Sequence, residues 1–360
     1  MEAYKYLAIV EWAKDYIQKN NIPSGSRFLS ENELCAIHNV SRQTVRQALM
    51  MLENQNVIVR MRGSGTFVKN GIEISAKQPG ANIALITTYF SDYIFPSIVT
   101  GIESTLKKNN AVMQLSITQN HVFEESRALM DMVSHGVQGF IVEPSKSALP
   151  NPNMKLYEDI RSRNIPLVFF NAKYPWSDAP CIALDDVLAG RLVTDCLFEA
   201  GHKKVCGIFS LDDIQGHKRY QGFVESCIKN RITNSEQNVL WYSSNEWSSL
   251  FTLSGERIIR LLSSSTGVVC YNDKLAVDLI NFCKSHGIAV PDDISVVGID
   301  DSKLATLCDV KLTTVRHPHQ LLGEAAAEML LRMMNNPGQK YEDVIFEPKL
   351  IVRDSVKTLR

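Results

Sequence analysis

The sequence predicts an α/β protein in two parts: a small N-terminal head of helices closed by a β-hairpin, and a two-lobed body built on parallel sheets. Three observations carry that prediction. Helical periodicity runs through the first 56 residues and gives way to two short β-prone runs. Residues 71–80 hold no sustained pattern and end in Pro79-Gly80, which reads as a linker. From Ala81 onward, continuous apolar runs alternate with amphipathic stretches, as strands covered on both faces of a parallel sheet do. The expected domains are therefore a head over 1–70, a linker over 71–80 and a body over 81–360.

In the head, Tyr6, Ile9, Ala13, Tyr16 and Ile17 share one helical face, and that helix ends before Asn20-Asn21-Ile22-Pro23. Ser30 with Glu33 forms a capping box that opens a second helix, with Leu34 and Ile37 expected inward. A third helix starts after Ser41 and turns Val45, Ala48, Leu49 and Leu52 inward. The runs Val57–Met61 and Thr66–Lys69, split by Arg62-Gly63-Ser64-Gly65, read as a hairpin. Helices followed by a hairpin describe a winged helix-turn-helix. In the body, strands are expected at Ile83–Thr87, Val112–Thr118, Gly139–Val142, Leu167–Asn171, Val205–Ser210, Val239–Tyr242, Val268–Tyr271 and Ile294–Ile299, with helices between most of them.

Composition narrows the function. Of 360 residues, 45% are hydrophobic and 21% charged, which excludes a disordered chain. The apolar runs Ile83–Ile86 and Pro166–Phe170 fall far short of the ~20 residues that span a bilayer. Charged residues interrupt Met1–Asn20, so a leader peptide is not expected; the expectation is a cytoplasmic protein without membrane association. The eight cysteines are dispersed and none forms CxxC, so neither a metal site nor a thiol-redox site is indicated. Residues 1–70 carry nine Lys and Arg against six Asp and Glu, and the remainder 29 against 33. Only the head is biased toward a polyanion.

The third helix has the chemistry for one. Opposite its apolar face lie Arg42, Gln43, Arg46 and Gln47, side chains that fork onto guanine and adenine edges in a major groove. Ser41 and Thr44 can take phosphates, and Arg62 beside Gly63 can carry a cation at the wing tip. An ordinary solvated helix face fits the same residues equally well. The segments Ser30–Leu34, Val40–Leu49, Leu52-Glu53 and Gly63–Val68 decide between them, because together they resemble the DNA-binding domain of the GntR regulators. That resemblance implies recognition arginines at Arg42 and Arg46, a wing tip at Arg62-Gly63 and a phosphate contact at Lys5.

The body resembles another family. Phe95-Pro96, Gly101–Glu103, Gly139–Val142, Arg219–Phe223, Asn272–Ala276, Val297–Asp301 and Leu312–Val315 are similar to the LacI-type effector core and its periplasmic sugar-binding relatives. A GntR head on a LacI-type body, with Thr87–Tyr89, Ser91–Pro96, Val142–Pro144 and Lys146–Leu149, is similar to the arabinose-responsive repressors. The resemblance implies a homodimer that binds a palindromic operator and is released from it by L-arabinose.

A sugar needs amides, carboxylates and an Arg fork for its hydroxyls and an aromatic ring for its apolar edge. Such residues follow expected strand ends: Tyr89, Asp92 and Tyr93, then Glu143, Asn171, Asn272 and Asp300. The resemblance places Asn171, Arg219, Asn272 and Asp300 at effector-contacting positions, and His317 completes the set. The Asp pairs at 185–186, 212–213, 292–293 and 300–301 read as helix caps rather than metal ligands. Neither a cofactor motif nor a paired acid and base is found, so no enzyme is expected. A repressor answering to D-galactose or D-xylose, an exported sugar receptor and a sugar-converting enzyme are the alternatives.

Overall fold

The computed structural model describes residues 5–61, 65–69, 80–90, 93–233 and 235–359. It separates into two compact units, Met1–Pro79 and Gly80–Arg360.

The head contains α1 (Lys5–Lys19), α2 (Glu31–His38), α3 (Arg42–Asn54) and the strands β1 (Ile58–Met61) and β2 (Gly65–Val68). Both sides of the Ser30–Glu33 capping box are made, so the first turn of α2 has partners for donors it cannot satisfy itself. Asn39 then turns left-handed at φ 49° and Ser41 caps α3. The strands pair antiparallel, Ile58 opposite Val68 and Met61 opposite Gly65. Ile9, Ala13, Leu34, Val45, Ala48, Leu49, Leu52 and Ile58 form the core. One expectation is corrected: Ile37 is 51% exposed, because short α2 packs along Leu34 and Cys35 instead. Arg62 and Gly63 lie outside the described residues.

The body begins with β3 (Asn82–Thr87), α4 (Phe95–Lys108), β4 (Val112–Ile117), α5 (Val122–Ser134), β5 (Gly139–Val142), α6 (Met154–Ser162), β6 (Leu167–Phe170) and β7 (Cys181–Leu184). It continues with α7 (Asp186–Glu199), β8 (Val205–Ser210), α8 (Ile214–Lys229), β9 (Val239–Tyr242), α9 (Leu250–Leu253), α10 (Gly255–Ser263), β10 (Gly267–Cys270), α11 (Asp273–Ser285) and β11 (Ser295–Val297). Last come α12 (Leu304–Leu307), β12 (Thr314–Arg316), α13 (His319–Asn335), β13 (Val344–Phe346) and β14 (Lys349–Ile351). The first lobe is a parallel sheet in the order β13-β7-β6-β5-β3-β4, and the second a parallel sheet in the order β11-β10-β8-β9. Helices α4 and α13 cover one face of the first sheet and α5 and α6 the other. Helices α7 and α8 cover one face of the second sheet, and α10 and α11 the other. The predicted architecture of head and two-lobed body is the one observed.

The chain passes between lobes after β7, β12 and β13, and β12 pairs antiparallel with β14 at these crossings. Within the second lobe, α7 and α8 form one close pair. A Cβ on Gly190 would stand 2.1 Å from the Arg219 carbonyl, and one on Gly222 would stand 2.0 Å from that of Val187. Only glycine lets α7 and α8 approach so closely. That approach sets the depth of Arg219 against the sheet.

Candidate functional site

On the head, Arg42, Gln43, Arg46 and Gln47 are all exposed while Val45, Ala48 and Leu49 are fully buried, so α3 presents one polar face. Arg46 Nε is 3.0 Å from Glu31 on α2. An exposed pair of this kind is worth about 0.2–1 kcal/mol, so a phosphate or base edge can displace Glu31. The hydroxyls of Ser41 and Thr44 lie 2.9 Å apart, and Ser41 accepts the Thr44 amide at 3.3 Å. Thr44 is buried, so these two serve the helix cap. Lys5 is exposed at the start of α1.

In the body, the carboxyl ends of both sheets meet across a cleft, because Tyr93 in the first lobe donates to Asp300 Oδ2 in the second at 2.5 Å. Glu143, after β5, is buried and accepts from Thr87 Oγ1 at 3.0 Å, the Thr88 amide at 2.9 Å and Asn171 Nδ2 at 2.7 Å. Burial pushes its carboxyl up, and these hydrogen bonds pull it back. Asn171 stands left-handed at φ 62°, which turns its amide off the end of β6.

Arg219 is 2% exposed, and each nitrogen of its fork has one protein acceptor. Nε donates to Asp186 at 2.8 Å, Nη1 to the Tyr271 carbonyl at 2.7 Å, and Nη2 to Asp300 Oδ1 at 3.4 Å, with the guanidinium 4.8 Å above the Tyr271 ring. Burial raises Asp186 to about 6 although Arg219 pulls it down, and it raises Asp300 against the same pull. Asp273, beside Asp300, is pushed up to about 8 by burial and accepts from the Ser302 amide at 2.7 Å. Carboxylates crowded around one guanidinium give the cleft an acceptor-rich wall suited to hydroxyl donors.

His317 is buried on the β12 crossing and stacks on His319 at 4.9 Å; burial, then His319 and Arg219, push its ring well down, so it is neutral at pH 7. Among the described residues, both of its ring nitrogens and Asn171 Oδ1 lack protein partners. Buried polar atoms of this kind need a partner, which a bound polar molecule would supply.

The structure thus brings Tyr93, Glu143, Asn171, Arg219, Asp300 and His317 to the cleft ends of the two sheets. Tyr89 is 39% exposed and packs edge-on against Phe95. Asn272 Oδ1 accepts the Leu275 amide at 2.9 Å as the cap of α11. Asp92 lies outside the described residues. Trp247 belongs to the second lobe's packing, against Tyr242. Asp185 and Asp213 are helix caps as expected, but the pairs at 292–293 and 300–301 are not. Asp293 accepts the Ala289 amide at 2.7 Å within a turn, and Asp301 binds Arg316 at 2.9 Å. Sequence reasoning passed over Asp186, Asp273 and Tyr271. For Asp186 the available signal was that Asp185 alone is enough for the cap of α7, which leaves its neighbour free for another role. Among the described residues no group of three or more His, Cys, Asp or Glu could hold a metal ion.

Residues 5–68 match the bacterial regulatory proteins of the gntR family, and residues 194–356 match a periplasmic binding protein-like domain. The chain is 38% identical to the arabinose metabolism transcriptional repressor of Geobacillus stearothermophilus, over 99% of this chain and 98% of that one. It belongs to the arabinose metabolism repressor family. The Halalkalibacterium halodurans member is 37% identical over 98% of this chain and 96% of that one. The body shares the fold of a LacI-type regulator from Alkaliphilus metalliredigens complexed with D-xylulofuranose, with TM-score 0.66 and 24% identity over 76% of this chain and 98% of that one. As a member of this repressor family, the protein is a DNA-binding transcriptional repressor. Among the described residues no helix is long and apolar enough to cross a membrane.

Proposed function

We propose that the interlobe cleft binds L-arabinose, that occupancy weakens the hold of the head on its operator, and that the protein works in the cytoplasm as a homodimer on a palindromic site. The observation that carries this reading is the pairing of Arg219 and Asp300 in a cleft where, among the described residues, Asn171 Oδ1 and the His317 ring have no protein partners. Tyr89, Tyr93, Glu143 and Asn272 border the same cleft. That both relatives are arabinose metabolism transcriptional repressors supports arabinose as the sugar. The sugar must favour one arrangement of the lobes, since equal affinity for both would shift nothing. A coupling of about 1–3 kcal/mol is typical of such linkage.

Calorimetric titration with L-arabinose, D-xylose and D-galactose, beside operator binding with and without each, tests the assignment. L-Arabinose is expected to bind most tightly, to release the operator and to be recovered unchanged. Release by another sugar alone would replace arabinose, and conversion of the sugar would make the protein an enzyme.

On the head we assign base reading to Arg42, Gln43 and Arg46, and phosphate contacts to Lys5 and the exposed Ser41, whereas Thr44 is buried under the cap of α3; Arg62 and Gly63 remain assigned to the wing tip. Arg42→Ala is expected to cost about 1–3 kcal/mol on the cognate operator and little on unrelated DNA. Equal loss on both would reduce Arg42 to a phosphate contact. Binding should also weaken steeply with salt, because it releases counterions from the duplex.

A further inference from the structure

We propose that Ser147 is a positioning residue for the effector response: its hydroxyl reaches from the first lobe to cap the helix of the second lobe that carries Arg219. Closure of the lobes and placement of the guanidinium then become one event. The proposal rests on the reading of the cleft as the effector site.

The loop after β5 is anchored within its own lobe. The Ser145 amide donates to the buried Glu125 at 2.7 Å, Tyr174 donates to the Ser145 carbonyl at 2.8 Å, and the Lys146 amide donates to Asn120 Oδ1 at 2.7 Å. The next residue faces the other way. Ser147 is 2% exposed, accepts the Ile214 amide at 3.0 Å and donates to Asp213 Oδ1 at 2.9 Å. Both hydrogen bonds of its side chain cross the cleft. Beside it, the Ala148 amide donates to the Asp212 carbonyl at 3.3 Å, and Lys146 Nζ stands 3.7 Å from the Asp212 carboxylate.

Ile214 is the first residue of α8, and its N–H has no acceptor inside the helix. The cap residue Asp213 bonds the Gln215 amide at 3.3 Å and leaves Ile214 to Ser147. When the lobes part, that amide must turn to water. Asp213 also accepts from the Tyr271 hydroxyl, and the Tyr271 carbonyl accepts from Arg219 at 2.7 Å. Ser147, Asp213, Tyr271 and Arg219 therefore form one hydrogen-bonded line from the first lobe to the guanidinium.

Losing one or two such bonds in the closed form alone should weaken sugar binding about three- to tenfold. The test compares full-length wild type, Ser147→Ala and Ser147→Thr by L-arabinose titration and by hydrogen exchange at the start of α8. Ser147→Ala is expected to raise Kd by that factor and to speed exchange of the Ile214 amide, with Ser147→Thr restoring both. Its effect should also be non-additive with Tyr271→Phe, which breaks the same line. Unchanged exchange and affinity in Ser147→Ala would overturn the proposal. So would weaker binding with unchanged exchange, since Ser147 would then contact the sugar directly. If wild type binds none of the three sugars, the reading of the cleft fails, and the exchange comparison still decides whether Ser147 caps α8.

Discussion

Arg219→Ala is expected to abolish the response to sugar and to destabilise the body by about 3–5 kcal/mol, the cost of leaving buried carboxylates without their counter-charge. The guanidinium stands between Asp186 and Asp300, all three nearly inaccessible to solvent. Without it, Asp186 loses the partner that holds it near 6 and folds with its proton on. The sign follows from linkage. A folded-state pKa raised above the unfolded one gives stability that is present at low pH and lost as pH rises toward the raised value. The deficit of Arg219→Ala is therefore expected to be smaller at pH 5 than at pH 8. Because the head is a separate unit, operator binding should stay near wild type where the body is folded, giving a repressor that sugar does not release. Arg219→Lys restores charge but not the planar fork, so it should recover part of the stability and little of the response. Thermal unfolding at the two pH values, with operator binding with and without L-arabinose, checks each part. Normal release in Arg219→Ala would remove Arg219 from the effector site.

The second large effect is expected in the head. Leu49 is fully buried on α3 among Ile9, Ala13, Leu34 and Leu52. Leu49→Ala should cost about 2–5 kcal/mol through lost burial and the cavity left behind. A unit of this size has a small core and little reserve, so its folding should fail near 37 °C and operator binding with it. Sugar binding by the body should persist. Met50, the next residue, is 51% exposed, and Met50→Ala should shift stability by no more than about 0.5 kcal/mol. Circular dichroism beside sugar calorimetry separates the two units. Loss of sugar binding in Leu49→Ala would show that the head and body do not fold independently.

Some elements are legible because their causes lie within a few residues. The Ser30–Glu33 box, the Ser41 cap and the buried stripe Val45–Leu52 follow from i to i+3 and i+4 spacing, and the structure has all three. The apolar runs of β3, β5, β8 and β9 carry enough β-branched and aromatic residues to mark themselves. The strand expected over Ile294–Ile299 shrinks to Ser295–Val297, and β7, β12, β13 and β14 went unread. Those four are three or four residues long and take their conformation from partners far along the chain, as when Thr314 pairs with Ile351. Ile37 misleads for a related reason, since apolar spacing does not say which side of a two-turn helix finds a neighbour.

Local chemistry therefore settled the order of the domains, the polar face of α3 and the strand ends where the candidate effector residues collect. The charge arrangement of the cleft came only from tertiary packing. Arg219 meets Asp186, 33 residues before it, and Asp300, 81 residues after it. No local pattern links the three, because their attraction acts only after α7, α8 and the β11 end have packed together. Burial then magnifies it: inside the lobe water no longer screens the charges, and Asp186 becomes the counter-ion of Arg219 while Asp185, its neighbour, remains a helix cap.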